Sequence, residues 1–103
     1  MYIVVFITAK NVNEGKKIAQ NLVKERLAAC VNILPGVKSI FTWKGKVDKA
    51  DEALLIVKSK RSCFSKIVGR VRELHSYDVP EIIALPIAAG HKDYLDWIKD
   101  SVA

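Results

Sequence analysis

The chain opens on an apolar run. Tyr2 to Thr8 is β-branched and aromatic, which predicts a strand. From Ile18 the period changes: Ile18, Ala19, Leu22, Val23 and Leu27 recur at helical spacing and make one apolar stripe. Asn11 with Glu14 three positions on resembles a capping box, and it starts that helix with Asn11 as N-cap. A second strand runs from Cys30 to Leu34, breaks at Pro35-Gly36, and resumes from Val37 to Trp43. Such a break predicts a bulge or bend at a sheet edge. Lys44-Gly45-Lys46 marks a turn, and Ala53 to Val57 is a third, densely apolar strand. Ser62 is the expected N-cap of a second helix with Phe64, Ile67, Val68, Val71 and Leu74 inward. Ser76-Tyr77-Asp78-Val79-Pro80 ends it, because a residue before proline disfavours helical dihedrals. Glu81 to Ile87 reads as a fourth strand, and a short helix after Gly90 turns Tyr94, Leu95, Ile98 and Val102 inward.

The order β-α-β-β-α-β with a C-terminal helix predicts an α+β, ferredoxin-like sandwich. At 103 residues it fills a single domain, 1–103, with no internal repeat or linker. In this topology both long helices cover one face of the sheet, and a monomer keeps the other face polar. Here the strands are apolar on both faces: Ile3, Val5 and Ile7 alternate with Tyr2, Val4 and Phe6, and Leu55 and Val57 with Leu54 and Ile56. A sheet of that kind needs covering twice. The C-terminal helix is one cover for part of the open face, and a face-to-face homo-oligomer, which covers it better, is the expectation.

Composition changes the picture in three places. Half of the residues are apolar, which argues against disorder and leaves material for an interface. The net charge of +6, from 17 basic and 11 acidic side chains, gathers at Lys10, Lys16, Lys17, Lys24 and Arg26 and at Lys58 to Arg72. On helix surfaces such charge is ordinarily a solvated face. Cys30 and Cys63 make no Cys-x-x-Cys pair, so both read as free thiols of a reducing compartment. The opening residues lack the basic start of a signal peptide and no apolar run approaches the ~20 residues of a membrane span, so the cytoplasm is the expected location and no membrane the expected contact.

Function has to come from sites, since this fold hosts many activities. A base-stacking RNA platform needs aromatics on the third strand, where this chain has Ala53-Leu-Leu-Ile-Val-Lys58. A soft-metal chaperone needs two cysteines after the first strand, where this chain has Thr8-Ala-Lys-Asn-Val-Asn13. The same loop lacks the glycine and arginine of a phosphate cradle. No local signature joins Cys30, Cys63, His75 or His91 into a nucleophile and its base, so an enzyme is not expected and nucleic acid is disfavoured as a partner.

Three stretches carry a resemblance: Glu25-Arg-Leu-Ala-Ala-Cys-Val-Asn-Ile33, Phe41-Thr-Trp-Lys-Gly45, and Glu73-Leu-His-Ser-Tyr-Asp-Val-Pro-Glu-Ile82, with Tyr94-Leu-Asp-Trp97 closing the series. Together, in order and along nearly the whole chain, they resemble the CutA family of divalent-ion tolerance proteins. The resemblance implies a trimer, similar in architecture to the PII signalling proteins, with a role in tolerance of divalent metal ions, copper especially. It departs where the family commonly has His-Pro-Tyr and this chain has His75-Ser76-Tyr77.

Among the matching residues, Cys30 is a soft thiolate donor suited to copper, and His75 an imidazole donor that must be neutral to bind. Glu81 supplies a carboxylate that would complete a mixed metal site. Each has a structural alternative: a buried thiol, a helix-end imidazole bonded to carbonyls, a surface ion pair. Trp43, Lys58 and Tyr77 suggest a second possibility, an intersubunit cleft that binds a small anionic ligand, with Lys58 as its charge.

Overall fold

The computed structural model describes all 103 residues. The elements run β1 (Tyr2–Ala9), α1 (Val12–Lys24), β2 (Cys30–Trp43), β3 (Lys46–Lys60), a 3₁₀ turn (Arg61–Cys63), α2 (Phe64–Leu74), β4 (Ile82–Pro86) and α3 (Lys92–Ser101). The strands form one antiparallel sheet in the order β2-β3-β1-β4, the ferredoxin-like arrangement. No helix is long and apolar enough to cross a membrane.

The pleat decides which residues make the core. Ile3, Val5 and Ile7 of β1 and Leu55 and Val57 of β3 point to one face, where Ile18 and Leu22 of α1 and Ile67 and Val71 of α2 close over them. Ile98 and Val102 join the same cluster from the C-terminal end, where α3 lies against β3. The other face holds Val4, Phe6, Leu54 and Ile56, with Ile83 and Leu85 about half exposed, and neither α1 nor α2 covers it.

The helix ends explain where the expected patterns shift. Asn11 Oδ1 accepts the Glu14 N–H at 2.8 Å, so the N-cap forms as expected. The return half of the capping box does not: the Glu14 carboxylate turns to His75 and Ser76. At the other end Leu27 N–H reaches Leu22 C=O and Arg26 N–H reaches Val23 C=O, with Arg26 at φ +59°, a Schellman closure. Leu27 is therefore buried from outside the helix, while Val23 stays exposed at the margin of its stripe. A left-handed arginine costs about 1–2 kcal/mol. Its guanidinium offsets part of that cost by donating to the carbonyls of Asp100 and Ser101 at the end of α3.

Ser62 is not a cap. Arg61 N–H is held by the Met1 carbonyl at 2.8 Å, and the chain enters α2 through the 3₁₀ turn with no side-chain cap. Tyr94 is exposed in the single chain, although its neighbour Leu95 packs inward.

The largest departure is β3, which begins at Lys46 instead of Ala53. Its added stretch is too polar to show a strand's alternation, but the register with β2 continues out to Trp43↔Lys46, past the bulge between Leu34 and Val37 at Pro35-Gly36. The ribbon closes on Lys44 and Gly45, both at positive φ, the two-residue turn that matches strand twist. This arm projects beyond the body, giving a 44 × 25 × 23 Å shape and a radius of gyration of 14.0 Å, against about 13 Å for a compact chain of this size. Ile40 and Val47 on the arm are 76% and 79% exposed.

Two glycines separate backbone need from habit. Gly45 at φ +77° needs its conformational freedom, so Gly45→Ala is expected to lower the melting temperature by several degrees. Gly69 lies within α2, and an added Cβ meets nothing within 4 Å. Gly69→Ala is expected to stabilise by about 0.5–1 kcal/mol, measured by thermal or denaturant unfolding.

Candidate functional site

β1 ends at Ala9, paired with Ala53, and beyond that point β2 and β3 continue alone. The angle between this arm and the segment after α2 encloses a cavity of about 880 Å³. Phe41 and Trp43 line it from β2, Asp48 and Glu52 from β3, and Tyr77 and Glu81 from the segment before β4. Three of the residues singled out from sequence, Trp43, Tyr77 and Glu81, thus meet on one cleft.

His75 stands behind that wall. Its extended backbone ends α2 and turns the ring into the body, where the side chain is fully buried. Nε2 lies 2.6 Å from the Thr8 carbonyl, an oxygen that only accepts, so Nε2 carries the proton. Nδ1 accepts the Tyr77 N–H at 3.0 Å, and Glu14 Oε1 lies 3.2 Å from the same nitrogen. Glu14 also accepts the Ser76 N–H at 3.3 Å. Those contacts hold residues 75–77 without the proline this chain lacks at position 76.

Tyr77 packs tilted against the His75 ring, with centroids 4.7 Å apart, and its hydroxyl donates to Glu52 Oε2 at 2.9 Å. Burial, then the hydrogen bond to Glu52 and its charge, with a contribution from Glu14, push the Tyr77 hydroxyl up from 10.0 to about 12.

The register puts the other two residues elsewhere. Lys58 is the cross-strand partner of Cys30 and Val4, six residues along β3 from Glu52, or about 20 Å at strand spacing. Within one chain Lys58 therefore lies apart from the cleft that Trp43 and Tyr77 line. Its ammonium hydrogen-bonds the Asn32 side chain, which gives the charge on that apolar strand its partner. Cys30 is a half-buried free thiol at the same end. Burial and then the adjacent Cys30 hold the Tyr94 hydroxyl above its ordinary range.

Cys30, His75 and Glu81 do not converge within one chain. Cys30 lies two strands across the sheet from β1, level with Val4, whereas His75 is fixed at Thr8, about 13 Å further along that strand. Both His75 nitrogens are engaged, and no group of three or more His, Cys, Asp or Glu side chains is placed to hold a metal ion. These residues do not fit a metal site made by a single copy. Sequence reasoning missed Glu14 and Glu52, the carboxylates that accept from the Ser76 N–H and the Tyr77 hydroxyl. Glu14 was visible only as a capping residue, and Glu52 falls in the polar stretch of β3.

A family model described as CutA1 divalent ion tolerance protein matches residues 3–101. The divalent-cation tolerance protein CutA of Thermus thermophilus is 51% identical over 95% of each chain. The chloroplastic CutA of Arabidopsis thaliana is 50% identical over 96% of this chain and 54% of its own length, so the chain spans about half of that relative. Among solved structures, the divalent cation tolerance protein of Thermus thermophilus superposes with a TM-score of 0.98 at 50% identity, covering all of both chains. The CutA structure from Archaeoglobus fulgidus gives 0.97 at 43% identity, again over all of both.

The Tyr77 arrangement fixes the sign of an alkaline effect. The folded state favours the neutral hydroxyl, so its contribution is complete below pH 10 and is lost as pH rises toward 12. Tyr77→Phe is expected to delete the latest phase of tyrosine ionisation in an ultraviolet titration, and Glu52→Gln to bring that phase earlier. His75→Ala is expected to cost about 2–4 kcal/mol by denaturant unfolding, because it empties buried volume and orphans the Tyr77 N–H.

Proposed function

Because the chain belongs to the CutA1 divalent ion tolerance family, we propose that it acts in tolerance of divalent metal ions, copper above all, as a non-enzymatic homotrimer. The observation that carries the assembly is the sheet face opposite the helices. Ile83 and Leu85 are 53% and 51% exposed there beside Val4, Phe6 and Ile56, and the arm adds Ile40 and Val47. An isolated two-stranded ribbon is marginal in water, and an apolar face of this extent calls for a partner. Other copies of the chain supply a cover for both.

Binding, not catalysis, suits the available groups. The ring of His75 is occupied by structural hydrogen bonds, so it is not free to activate a nucleophile. Cys30 is a half-buried soft donor beside Tyr94, and a copper site using it takes its remaining donors from a second copy. The free thiols Cys30 and Cys63 suit a reducing compartment, and we place the protein in the cytoplasm.

A second role is favoured by the cleft itself: a small-ligand sensor, with Trp43 and Tyr77 as walls of the 880 Å³ cavity. Lys58, which suggested an anion, lies outside the part of it that a single copy forms.

Native mass spectrometry with and without one equivalent of Cu(II) per chain tests the first proposal. The expected result is a trimer that takes up copper in threes and loses it on Cys30→Ala. A monomer would remove the assembly, and unchanged copper affinity in Cys30→Ala would remove that residue. Phe6→Lys, which places a charge on the uncovered face, is expected to dissociate the trimer in the same measurement.

A further inference from the structure

The charge of this chain is not spread evenly. Residues 10–26 and 60–74, which include α1 and α2, hold ten lysines and arginines against Glu14, Glu25 and Glu73, a net +7. The chain totals +6, so everything else comes to −1 and the positive charge sits on the helical layer. All three acids there are engaged, Glu14 by Lys10 and His75, Glu25 and Glu73 by Arg70. Lys16, Lys17, Lys24, Arg61, Lys66 and Arg72 are exposed and make no ion pair. We propose that this face adsorbs to the anionic headgroups of a lipid bilayer.

Position and shape select that occupant. The two helices cover the core side of the sheet, opposite Val4, Phe6, Ile83 and Leu85, so their outer surface stays open when other copies cover that other face. They lie side by side, joined where the Arg70 guanidinium reaches Asn21 and Glu25. Lys17 and Lys24, two turns apart on α1, point away from buried Ile18, Ala19 and Leu22. On α2 the positions opposite buried Ile67 and Val71 are Ser65 and Gly69, flanked by Lys66 and Arg72. A broad layer of this kind meets a bilayer with its cations together. Nucleic acid is less well served. Phe64, the one aromatic of the two helices, is half-buried with the Arg61 guanidinium 5.8 Å from its ring, which leaves no platform for an unpaired base. Helices packed lengthwise on a sheet also present nothing to enter a duplex groove. Adsorption by charge needs no spanning segment, so the lack of a membrane-crossing helix does not bear on it.

Co-sedimentation of the full chain with vesicles of equimolar phosphatidylcholine and phosphatidylserine, against pure phosphatidylcholine, tests this. Binding to the anionic vesicles alone is expected, and it falls as salt rises. Lys17→Gln and Lys66→Gln should each weaken it about fivefold. Gly69→Glu should weaken it at least as much and Gly69→Gln leave it unchanged, because a Cβ there meets nothing within 4 Å and the two variants differ in charge. Lys46→Gln, which removes a cation from the arm, should also leave it unchanged. A loss from Lys46→Gln equal to that from Lys17→Gln would reveal attraction by net charge and overturn the assignment to this face. Equal binding to neutral vesicles, or none to either kind, would overturn it outright. Duplex DNA or single-stranded RNA that displaces the vesicles, with binding weakened by the same substitutions, would overturn the bilayer and reassign the face to nucleic-acid phosphates.

Discussion

A sheet that is apolar on both faces, with helices enough for one, is the constraint on which the rest of this structure depends. The ferredoxin-like connection brings α1 and α2 to the same side, where Ile18, Leu22, Ile67 and Val71 close a core of fully buried aliphatic side chains. The third helix, α3, packs against β3 at the end of the sheet and leaves Ile83 and Leu85 half exposed beside Val4, Phe6 and Ile56. At about 25 cal/mol per Å² of apolar surface, leaving that face in water forfeits stabilisation that other copies of the same chain supply.

The arm follows from the same economy of cover. β2 and β3 run on past the end of β1, so their outer half has little cover beyond the segment around Tyr77 and exposes Ile40, Phe41, Trp43 and Val47. Two positive-φ residues close the ribbon, and the bulge at Pro35-Gly36 sets where it bends from the body. The cleft lies between this arm and the segment before β4. Its opposite wall is held by His75, whose ring ties the Thr8 carbonyl to the Tyr77 amide. A residue whose type suggests chemistry is here a strut, and the chemistry available to the cleft comes from Trp43, Glu52, Asp78 and Glu81 around it.

Similarity to CutA proteins of a bacterium, an archaeon and a plant extends along the whole fold, and the superposition with the Thermus protein is nearly complete. That similarity speaks for a shared architecture. Two physical features of this chain bear on binding: a half-buried thiol beside Tyr94 at one end of the sheet, and an aromatic cleft with carboxylates in its lining at the other. They lie too far apart along the strands to act on one ligand within a single copy.

Sequence by itself determined the order of the elements, the fold class and the two-faced sheet, because hydrophobic period and local caps are short-range properties. Asn11, the Pro35-Gly36 break and the Lys44-Gly45 turn each act within a few residues of themselves. Where polarity hid the pattern, as from Lys46 to Glu52, the strand was invisible until its register with β2 revealed it. Which side chains meet was beyond the sequence for a different reason. Trp43, Tyr77 and Glu81 come together, Lys58 joins Cys30 instead, and Glu14 crosses from α1 to His75. Those encounters depend on strand order, on the bulge and on where a helix ends, and a one-residue change in register would alter every one of them. Only the tertiary structure decides that, because distance along a chain says nothing of distance across a sheet.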